Sequence, residues 1–503
     1  MISNESSSPA TLTVSLFDEA ATARLAEDIA AALLPGDILA LTGNLGAGKS
    51  VLARAAIRAL AGQPDLMVPS PTFALRIDYL LDRFAVTHVD LYRLTGDQEI
   101  DELGLEEALE GAALIIEWPD RLRRSLTVER LEIVLEEENG GRVAIITPHG
   151  TWPNRLARSH AIRAFLDDAG WHDARRVPII GDASAKAFER VTQEDCTAIL
   201  MNAPQQPESP PLDDGRSYDA VAHRAGNVEP FIAIDAELRQ HGIHAPEIIA
   251  ADSGAGLVLL EDLGCEGIVD ANGRAILSRY EAAIDLLVAI HGQDWPPVAH
   301  AAGGIRHAVP AYDHEALLIE ISLFADWFVG QAGGPAWSAA EREGFLAAWR
   351  TVLQDLGAVS ETWVLRDFHS PNILWIAGES GLDRVGVIDF QDTLRGHTAY
   401  DVASLAQDAR IDLSPDQESA LKARYMNSRK AADPAFDVAA FEAAYAVFGA
   451  QRASKILGAF SRLASVGGKP GYLRHIDRAK DVLRRNLSHP VLSALRLWYA
   501  PHL

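Results

Sequence analysis

The chain has 503 residues, too many for one ordinary core, and the length alone sets an expectation of two to four domains. Hydrophobic residues make up 48% and charged residues 23%, a globular balance, and a formal charge of −25 makes the chain a poor candidate for wrapping nucleic acid unaided, which needs clustered Lys and Arg. Two cysteines, Cys196 and Cys265, exclude a disulfide framework or zinc set, and with no signal-peptide pattern and no apolar window of about 18 residues the expectation is a cytoplasmic protein without a membrane partner.

Ala20 to Leu34 reads as a helix, broken by Pro35-Gly36-Asp37. The apolar run Ile38–Thr42 suits a buried strand, and Val51–Leu60 reads as a helix. Between them stand Gly43, Asn44, Leu45, Gly46, Ala47, Gly48, Lys49 and Ser50. Strand, glycine loop and helix form the context a phosphate-binding loop requires. The glycines let backbone N–H groups approach phosphate oxygens at a helix N-terminus. Lys49 would reach the β- and γ-phosphates of a nucleoside triphosphate, and the Ser50 hydroxyl would face Mg²⁺.

Further strands are expected at Ala85–Val89, Ala113–Ile116, Leu131–Leu135 and Val143–Thr147, an α/β alternation closed by Pro148-His149-Gly150. Asp90 ends one strand, where it can hold the metal's water shell or cap a helix. Glu117 ends another, where it can orient an attacking water or stand as an exposed edge residue. Trp118 follows it.

The loop is followed in order by Pro69-Ser70-Pro71-Thr72-Phe73, His88-x-Asp90-x-Tyr92-Arg93, Gly104-Leu105-Glu106 and Ile116-Glu117-Trp118. Together these closely resemble TsaE, the small ATPase of bacterial tRNA threonylcarbamoyladenosine synthesis, over about residues 10–147. The resemblance implies ATP hydrolysis that services a TsaD–TsaB transferase pair and touches tRNA only indirectly. It implies that Ser70 and Thr72 lie in a switch-like segment by the γ-phosphate, that Asp90 and Ser50 act at the metal, and that Thr72, Glu117 and Trp118 belong to the nucleotide site.

A new segment opens at Thr151-Trp152-Pro153. Arg155–Ala169 reads as an amphipathic helix, short apolar runs follow at Arg176–Ile180, Ala198–Met201 and Leu257–Leu260, and Pro204–Asp214 reads as a surface loop. From about Leu277 helical periodicity dominates, interrupted near Trp363–Asp392. Sheet first and helices later is an α+β order.

Residues 364–375 read Val-Leu-Arg-Asp-Phe-His-Ser-Pro-Asn-Ile-Leu-Trp, and Val385-Gly-Val-Ile-Asp389-Phe-Gln-Asp392 follows. Phosphoryl transfer from ATP to a hydroxyl needs a carboxylate for the hydroxyl proton, and an amide and a second carboxylate for metal ions. Asp367 fits the base, and Asn372 and Asp389 fit the metal ligands.

This segment resembles the aminoglycoside phosphotransferase family, which has a bilobal protein-kinase-like fold. Leu365-Arg366-Asp367 stands where that family carries His-Gly-Asp, a departure expected to cost a structural hydrogen bond and to spare the base. Tyr400-Asp401-Val402-Ala403 matches the family's helix start, where the Asp would brace the catalytic loop, or cap the helix, or both. Gly181–Val191, with Ser184 and Lys186, resembles the nucleotide-covering hairpin. Leu259–Gly264 resembles the hinge, with Glu261 and Leu263 at the adenine, and His291 resembles the element before the second lobe. The strand Ala198–Pro204 lacks the usual phosphate-binding Lys, leaving Lys186 or Arg190 to supply that charge.

Asp182-Ala-Ser-x-Lys-x-Phe-x-Arg, Met201-Asn-Ala-Pro, Arg366-Asp-Phe-His-Ser-Pro-Asn and Gln451-Arg452-x2-Lys455-Ile-Leu-Gly458 narrow the match to the anomeric kinases of N-acetylmuramate and N-acetylglucosamine of peptidoglycan recycling, over about residues 157–500. The helix Gln451–Gly458 is expected either to touch substrate or to be plain core, with Ile456 and Leu457 inward and the charges solvated.

The expected layout is a P-loop ATPase in residues 1–150 followed by a kinase in 151–503, with its small lobe at about 157–263 and its helical lobe at about 264–503. Three readings of the second part stand. It phosphorylates an amino sugar, it phosphorylates another hydroxyl compound such as an aminoglycoside or choline, or it is a non-catalytic module. An acidic pocket would favour the cationic substrates, and an arginine-bearing pocket would favour the lactyl carboxylate of N-acetylmuramate.

Overall fold

The structure is a computed structural model and describes residues 11–94, 97–122, 126–138, 140–180, 186–330, 336–356 and 361–503. The chain forms two compact units: residues up to Pro204 together with Ile249–Asp262, and Gln205–Ile248 together with Leu263–Leu503.

The first unit opens with seven strands: β1 (Leu12–Leu16), β2 (Ile38–Gly43), β3 (Arg76–Leu80), β4 (Ala85–Asp90), β5 (Ala112–Glu117), β6 (Arg130–Glu138) and β7 (Gly141–Pro148). They make one mixed sheet in the order β1-β7-β6-β2-β5-β4-β3. Its centre, β6-β2-β5-β4, is parallel, and the pairs β6–β7, β7–β1 and β4–β3 are antiparallel. Ile38 to Leu41 are all buried, as an unbroken apolar run between two covered faces requires. Asp18 caps the helix Glu19–Ala32 by accepting from Ala21 N. The helix Lys49–Ala61 starts directly from the glycine loop.

The expected boundary near residue 150 is crossed by packing. The helix Trp152–Asp168 buries Trp152 and Leu156 in the core of the seven-stranded sheet. Two turns later Ile162 and Leu166 enter the core of a second sheet. That sheet holds β8 (Arg175–Ile179), β9 (Ala187–Gln193), β10 (Cys196–Asn202), β11 (Ile248–Asp252) and β12 (Leu257–Glu261), in the order β11-β12-β10-β9-β8. Polar contacts reinforce the joint. Arg176 is 1% exposed, donates to both Glu189 oxygens at 2.7 and 2.9 Å, and reaches Asp28 of the first helix at 2.7 Å. Arg155 grips both oxygens of Asp37 at 2.6 and 2.8 Å. Removing one partner from a buried arrangement of this kind costs about 3–5 kcal/mol.

The second unit is mainly helical. Its longest helix, Val438–Ser465, is buried almost continuously from Ala444 to Ser454. Ser338 and Ser414 start the helices Ala339–Asp355 and Pro415–Ala432 with capping boxes. Residues 205–248 pack here, not with the five-stranded sheet to which the expected small lobe of 157–263 assigned them. Phe231 stacks on Phe390 at 4.7 Å, and Asp392 accepts from Ala225 N at 2.7 Å, so burial of an aromatic pair and a satisfied carboxylate tie the segment to the helical unit.

Candidate functional site

In the first unit the glycine loop joins β2 to the helix Lys49–Ala61. Gly43 has φ +149°, and a Cβ there would lie 2.5 Å from the Leu135 carbonyl oxygen, so only glycine closes this turn. Lys49 is 5% exposed and folds along the loop, donating to the carbonyls of Gly43 (2.8 Å) and Asn44 (2.9 Å). Its ammonium lies 3.9 Å from the Trp118 ring centre. Burial pulls the Lys49 pKa down, while Glu117, Asp90 and Asp120 oppose the change.

The parallel pairing of β4 and β5 sets Asp90 directly beside Glu117 at the carboxyl ends of their strands, where open α/β sheets bind ligands. Glu117 is 2% exposed, which removes the exposed-edge alternative. One of its oxygens accepts from the Ser50 hydroxyl at 2.8 Å, and the other lies 3.0 Å from His88 Nε2. Asp90 caps no helix. It accepts from Thr72 Oγ1 at 3.1 Å and from Tyr92 N at 2.9 Å. Ser70 and Thr72 hydroxyls lie 2.8 Å apart, and the Tyr92 and Trp118 rings are 5.0 Å apart. Ser50, Thr72, Asp90, Glu117 and Trp118, spread over 69 residues of sequence, therefore converge on the glycine loop.

In the second unit the hairpin Ile373–Trp375 with Val385–Val387 brings Asn372 and Asp389 to one end, since Ile373 faces Val387 and Ile388 N donates to the Asn372 carbonyl at 3.1 Å. Asn372 Nδ2 donates to the Asp367 carbonyl at 3.0 Å, and Asp389 accepts from Gln391 at 3.0 Å. Arg366 and Asp389 both have positive φ, +67° and +59°. Strained backbone at these two positions marks a loop held in place by its surroundings.

Three buried carboxylates, Asp401, Asp408 and Glu320, hold it in place. Asp401, 0% exposed, accepts from Leu365 N at 2.7 Å and Arg366 N at 2.9 Å, and lies 3.6 Å from His291 Nε2. Asp408 accepts from Ser370 N and Oγ at 3.1 and 2.7 Å. The Arg366 side chain turns into the core and meets Glu320, 0% exposed, at 2.5 Å. Glu320 also takes Lys455 at 2.7 Å, Tyr312 at 2.5 Å and Gln451 at 2.9 Å. Gly458 makes this possible: a Cβ there would lie 2.1 Å from the Leu323 backbone, so the two helices touch and Gln451 and Lys455 reach Glu320. Gln451 and Arg452 are buried, against the expectation of solvated polar groups on that helix; Leu457 is buried and Ile456 half-buried. Arg452 donates to the Arg366 carbonyl at 3.0 Å and lies 3.9 Å from Asp367 Oδ1. Burial would raise the Asp367 carboxyl, but Lys455, His369, Arg452 and Arg366 outweigh it and hold it well below the ordinary range, so it stands ionised.

The remaining expected residues divide. Ser184 lies outside the described residues. Lys186 immediately precedes β9, and Arg190 is paired with Asp262 at 2.7 Å. Glu261 ends β12, and Leu263 packs over Gly386 in the second unit. Sequence reading missed Glu320 and Asp408. The signal for Glu320 was a lone acid inside the apolar helix Leu317-Leu-Ile-Glu320-Ile-Ser-Leu.

Comparison with known proteins also finds two parts, the second beginning within the first compact unit. Residues 16–144 match the family model of the threonylcarbamoyl adenosine biosynthesis protein TsaE, and residues 175–439 match that of the phosphotransferase enzyme family. A protein of Caulobacter vibrioides described as N-acetylmuramate/N-acetylglucosamine kinase is 35% identical over 354 residues, covering 68% of this chain and 96% of its own. A second of that description, from Pseudomonas aeruginosa, is 30% identical and covers 64% and 90%. A tRNA threonylcarbamoyladenosine biosynthesis protein TsaE of Rickettsia conorii is 37% identical over 162 residues, covering 32% of this chain and 90% of its own. The chain therefore belongs to the phosphotransferase enzyme family through its larger part and to the TsaE family through its first part: it is a bifunctional fusion of a P-loop ATPase and a protein-kinase-like sugar kinase.

Proposed function

We propose that the kinase part phosphorylates the anomeric hydroxyl of N-acetylmuramate and N-acetylglucosamine, and that the ATPase part serves a transferase complex of the TsaD–TsaB type. The observation that carries the kinase reading is the placement of Asp367 on a loop fixed through Asp401, Asp408 and Glu320, next to the Asn372–Asp389 hairpin end. In the reaction the sugar oxygen attacks the γ-phosphorus of ATP, the bond to the bridging oxygen of ADP breaks, and Asp367 takes the hydroxyl proton. Arg452, 3.9 Å from Asp367, keeps that carboxylate charged and oriented.

Hard oxygen donors suit Mg²⁺, and Asn372 and Asp389 offer them in one part and Ser50 and Asp90 in the other. The ion would neutralise phosphate charge at each. In the ATPase part Lys49 and the loop N–H groups cradle the phosphates, and Glu117 positions the attacking water.

The nucleotide face of the ATPase part also exposes apolar side chains. Leu45 within the loop is 77% exposed, and Phe73, next to Thr72, is 84% exposed with Arg93 over its ring at 4.3 Å. Exposed apolar groups beside a catalytic loop favour a protein partner over tRNA, in keeping with the acidic charge. No helix of the described residues is long and apolar enough to cross a membrane. Cys196 and Cys265 are free and exposed, which fits a reducing cytoplasm.

The test offers purified protein and Mg-ATP the two amino sugars, kanamycin and choline in parallel. Phosphorylation of the amino sugars is expected; phosphorylation of kanamycin or choline alone overturns the substrate assignment. For the ATPase part, hydrolysis is measured with and without a TsaD–TsaB complex, and absence of stimulation overturns that partner.

A further inference from the structure

His88 lies inside β4 on a sheet face that is otherwise apolar. Val86 precedes it on that face, and the register sets Ile77 of β3 and Ile115 of β5 beside it. Val86 and Ile115 belong to the core that the helix Lys49–Ala61 closes. His88 itself is 1% exposed. A polar ring in such a place needs a partner, and it has one: Nε2 lies 3.0 Å from Glu117 Oε1. Nδ1 is buried and has no hydrogen-bond partner among the described residues. The carboxylate oxygen accepts, so the bond puts a proton on Nε2.

Glu117 thus has two donors, and they differ in kind. Ser50 Oγ, at 2.8 Å from the other oxygen, stands at the end of the glycine loop, where phosphate must arrive and leave, and its hydroxyl turns about a single bond. His88 stands on a strand paired on both sides, with its ring packed in the core. Asp90, beside Glu117 by register, is held by a separate pair of donors, Thr72 Oγ1 and Tyr92 N. The two neighbouring carboxylates are therefore aimed independently.

Resting on the ATPase reading above, we infer that His88 is a positioning residue for ATP hydrolysis: its Nε2–H fixes the Glu117 carboxylate that orients the attacking water, and does so whether or not the glycine loop is filled. In the step itself the water oxygen bonds to the γ-phosphorus and the bond to the bridging oxygen of ADP breaks. One water proton stays on the phosphate and the other leaves by way of Glu117. His88, buried beneath that carboxylate, acts through it.

The test uses the full chain, without sugar and with a TsaD–TsaB complex. His88→Leu removes the donor, and His88→Gln returns an N–H of similar reach. In His88→Leu, kcat for ATP hydrolysis should fall about 10- to 100-fold with KM for ATP within about threefold of wild type. His88→Gln should recover to within about fivefold of wild type. Added to Glu117→Ala, His88→Leu should lower the residual rate by less than about twofold, because its effect runs through Glu117. Two readouts need no turnover. Affinity for a fluorescent ATP analogue should be alike in wild type and His88→Leu, and in nucleotide-free protein labelled with 15N-histidine the ring resonance missing from His88→Gln should carry its proton on Nε2. An unchanged kcat in His88→Leu, no rescue by Gln, full additivity with Glu117→Ala, or a proton on Nδ1 alone overturns the assignment. Should His88→Leu fail to fold, His88→Asn takes its place, since its amide is too short to reach Glu117 and should match the loss expected for Leu. Absence of stimulated hydrolysis in wild type refutes the ATPase reading itself, and the role of His88 with it.

Discussion

Replacing Glu320 with Gln tests how the catalytic loop is held. Glu320 is fully buried and meets two cations, Arg366 and Lys455, with Tyr312 and Gln451 completing its hydrogen bonds. Burial alone would raise its pKa, but Lys455 and Arg366 bring it down from 4.5 to about 2. That displacement corresponds to about 3 kcal/mol. It agrees with the cost of about 3–5 kcal/mol for stripping one partner from a buried charge pair. Gln keeps the shape and offers an amide where two cations need an anion, so most of that cost should appear. Urea unfolding of the full chain, followed by fluorescence and by residual sugar phosphorylation, should show the transition that carries kinase activity destabilised by about 3 kcal/mol. Adding Arg366→Met removes one stranded cation, so the double variant should be more stable than Glu320→Gln alone. A single variant within about 1 kcal/mol of wild type, or a double variant that is less stable, would refute the reasoning.

Lys49→Ala should abolish partner-stimulated ATP hydrolysis and leave sugar phosphorylation in place, because Lys49 meets the glycine-loop carbonyls, the Trp118 ring and the charges of Glu117, Asp90 and Asp120, all within the ATPase part; loss of both activities would show that the fused parts are coupled. Asp401→Asn leaves one of Leu365 N and Arg366 N without an acceptor, and kcat for the sugar should fall about 10- to 100-fold with little change in the KM for ATP, which steady-state kinetics will check. Burial lowers the pKa values of His369 and His397 from 6.5 to about 4. The unfolded chain therefore binds more protons between those values, and stability should fall as pH drops from about 6.5 to about 4. Glu320, depressed from 4.5 to about 2, adds its loss below that window. A Tm unchanged between pH 7 and pH 4.5 would contradict this.

The parts of both sites that are contiguous in sequence were legible before the structure. The loop Gly43–Ser50 lies between a four-residue buried apolar run and a helix, and the Asp367–Asn372 and Val385–Asp389 segments carry their acids at fixed spacing. β1 and β3 were not seen, because each is an edge strand of only five residues, too short for its apolar and polar alternation to stand out from the flanking polar sequence. The long-range ion pairs were also invisible. Arg366 and Glu320 are 46 residues apart, and Arg176 and Asp28 are 148 apart, so no local pattern joins them. Arg452 was misjudged for a related reason: a charged residue on a helix is usually solvated, and its burial depends on the Arg366 carbonyl and Tyr400 hydroxyl that receive it. The division of residues 157–263 followed the same logic, since the Phe231–Phe390 stack that assigns 205–248 to the helical unit joins distant positions.

The most direct test is the identity of the product. Wild type and Asp367→Asn are incubated with Mg-ATP and N-acetylmuramate, and the product is followed by phosphorus NMR and by loss of the reducing end. Wild type should form an acid-labile phosphate on the anomeric oxygen, and Asp367→Asn should form it at least 100-fold more slowly. No sugar phosphate from wild type, a phosphate on another oxygen, or an undiminished rate in Asp367→Asn would contradict the assignment of Asp367 as the base of an anomeric sugar kinase.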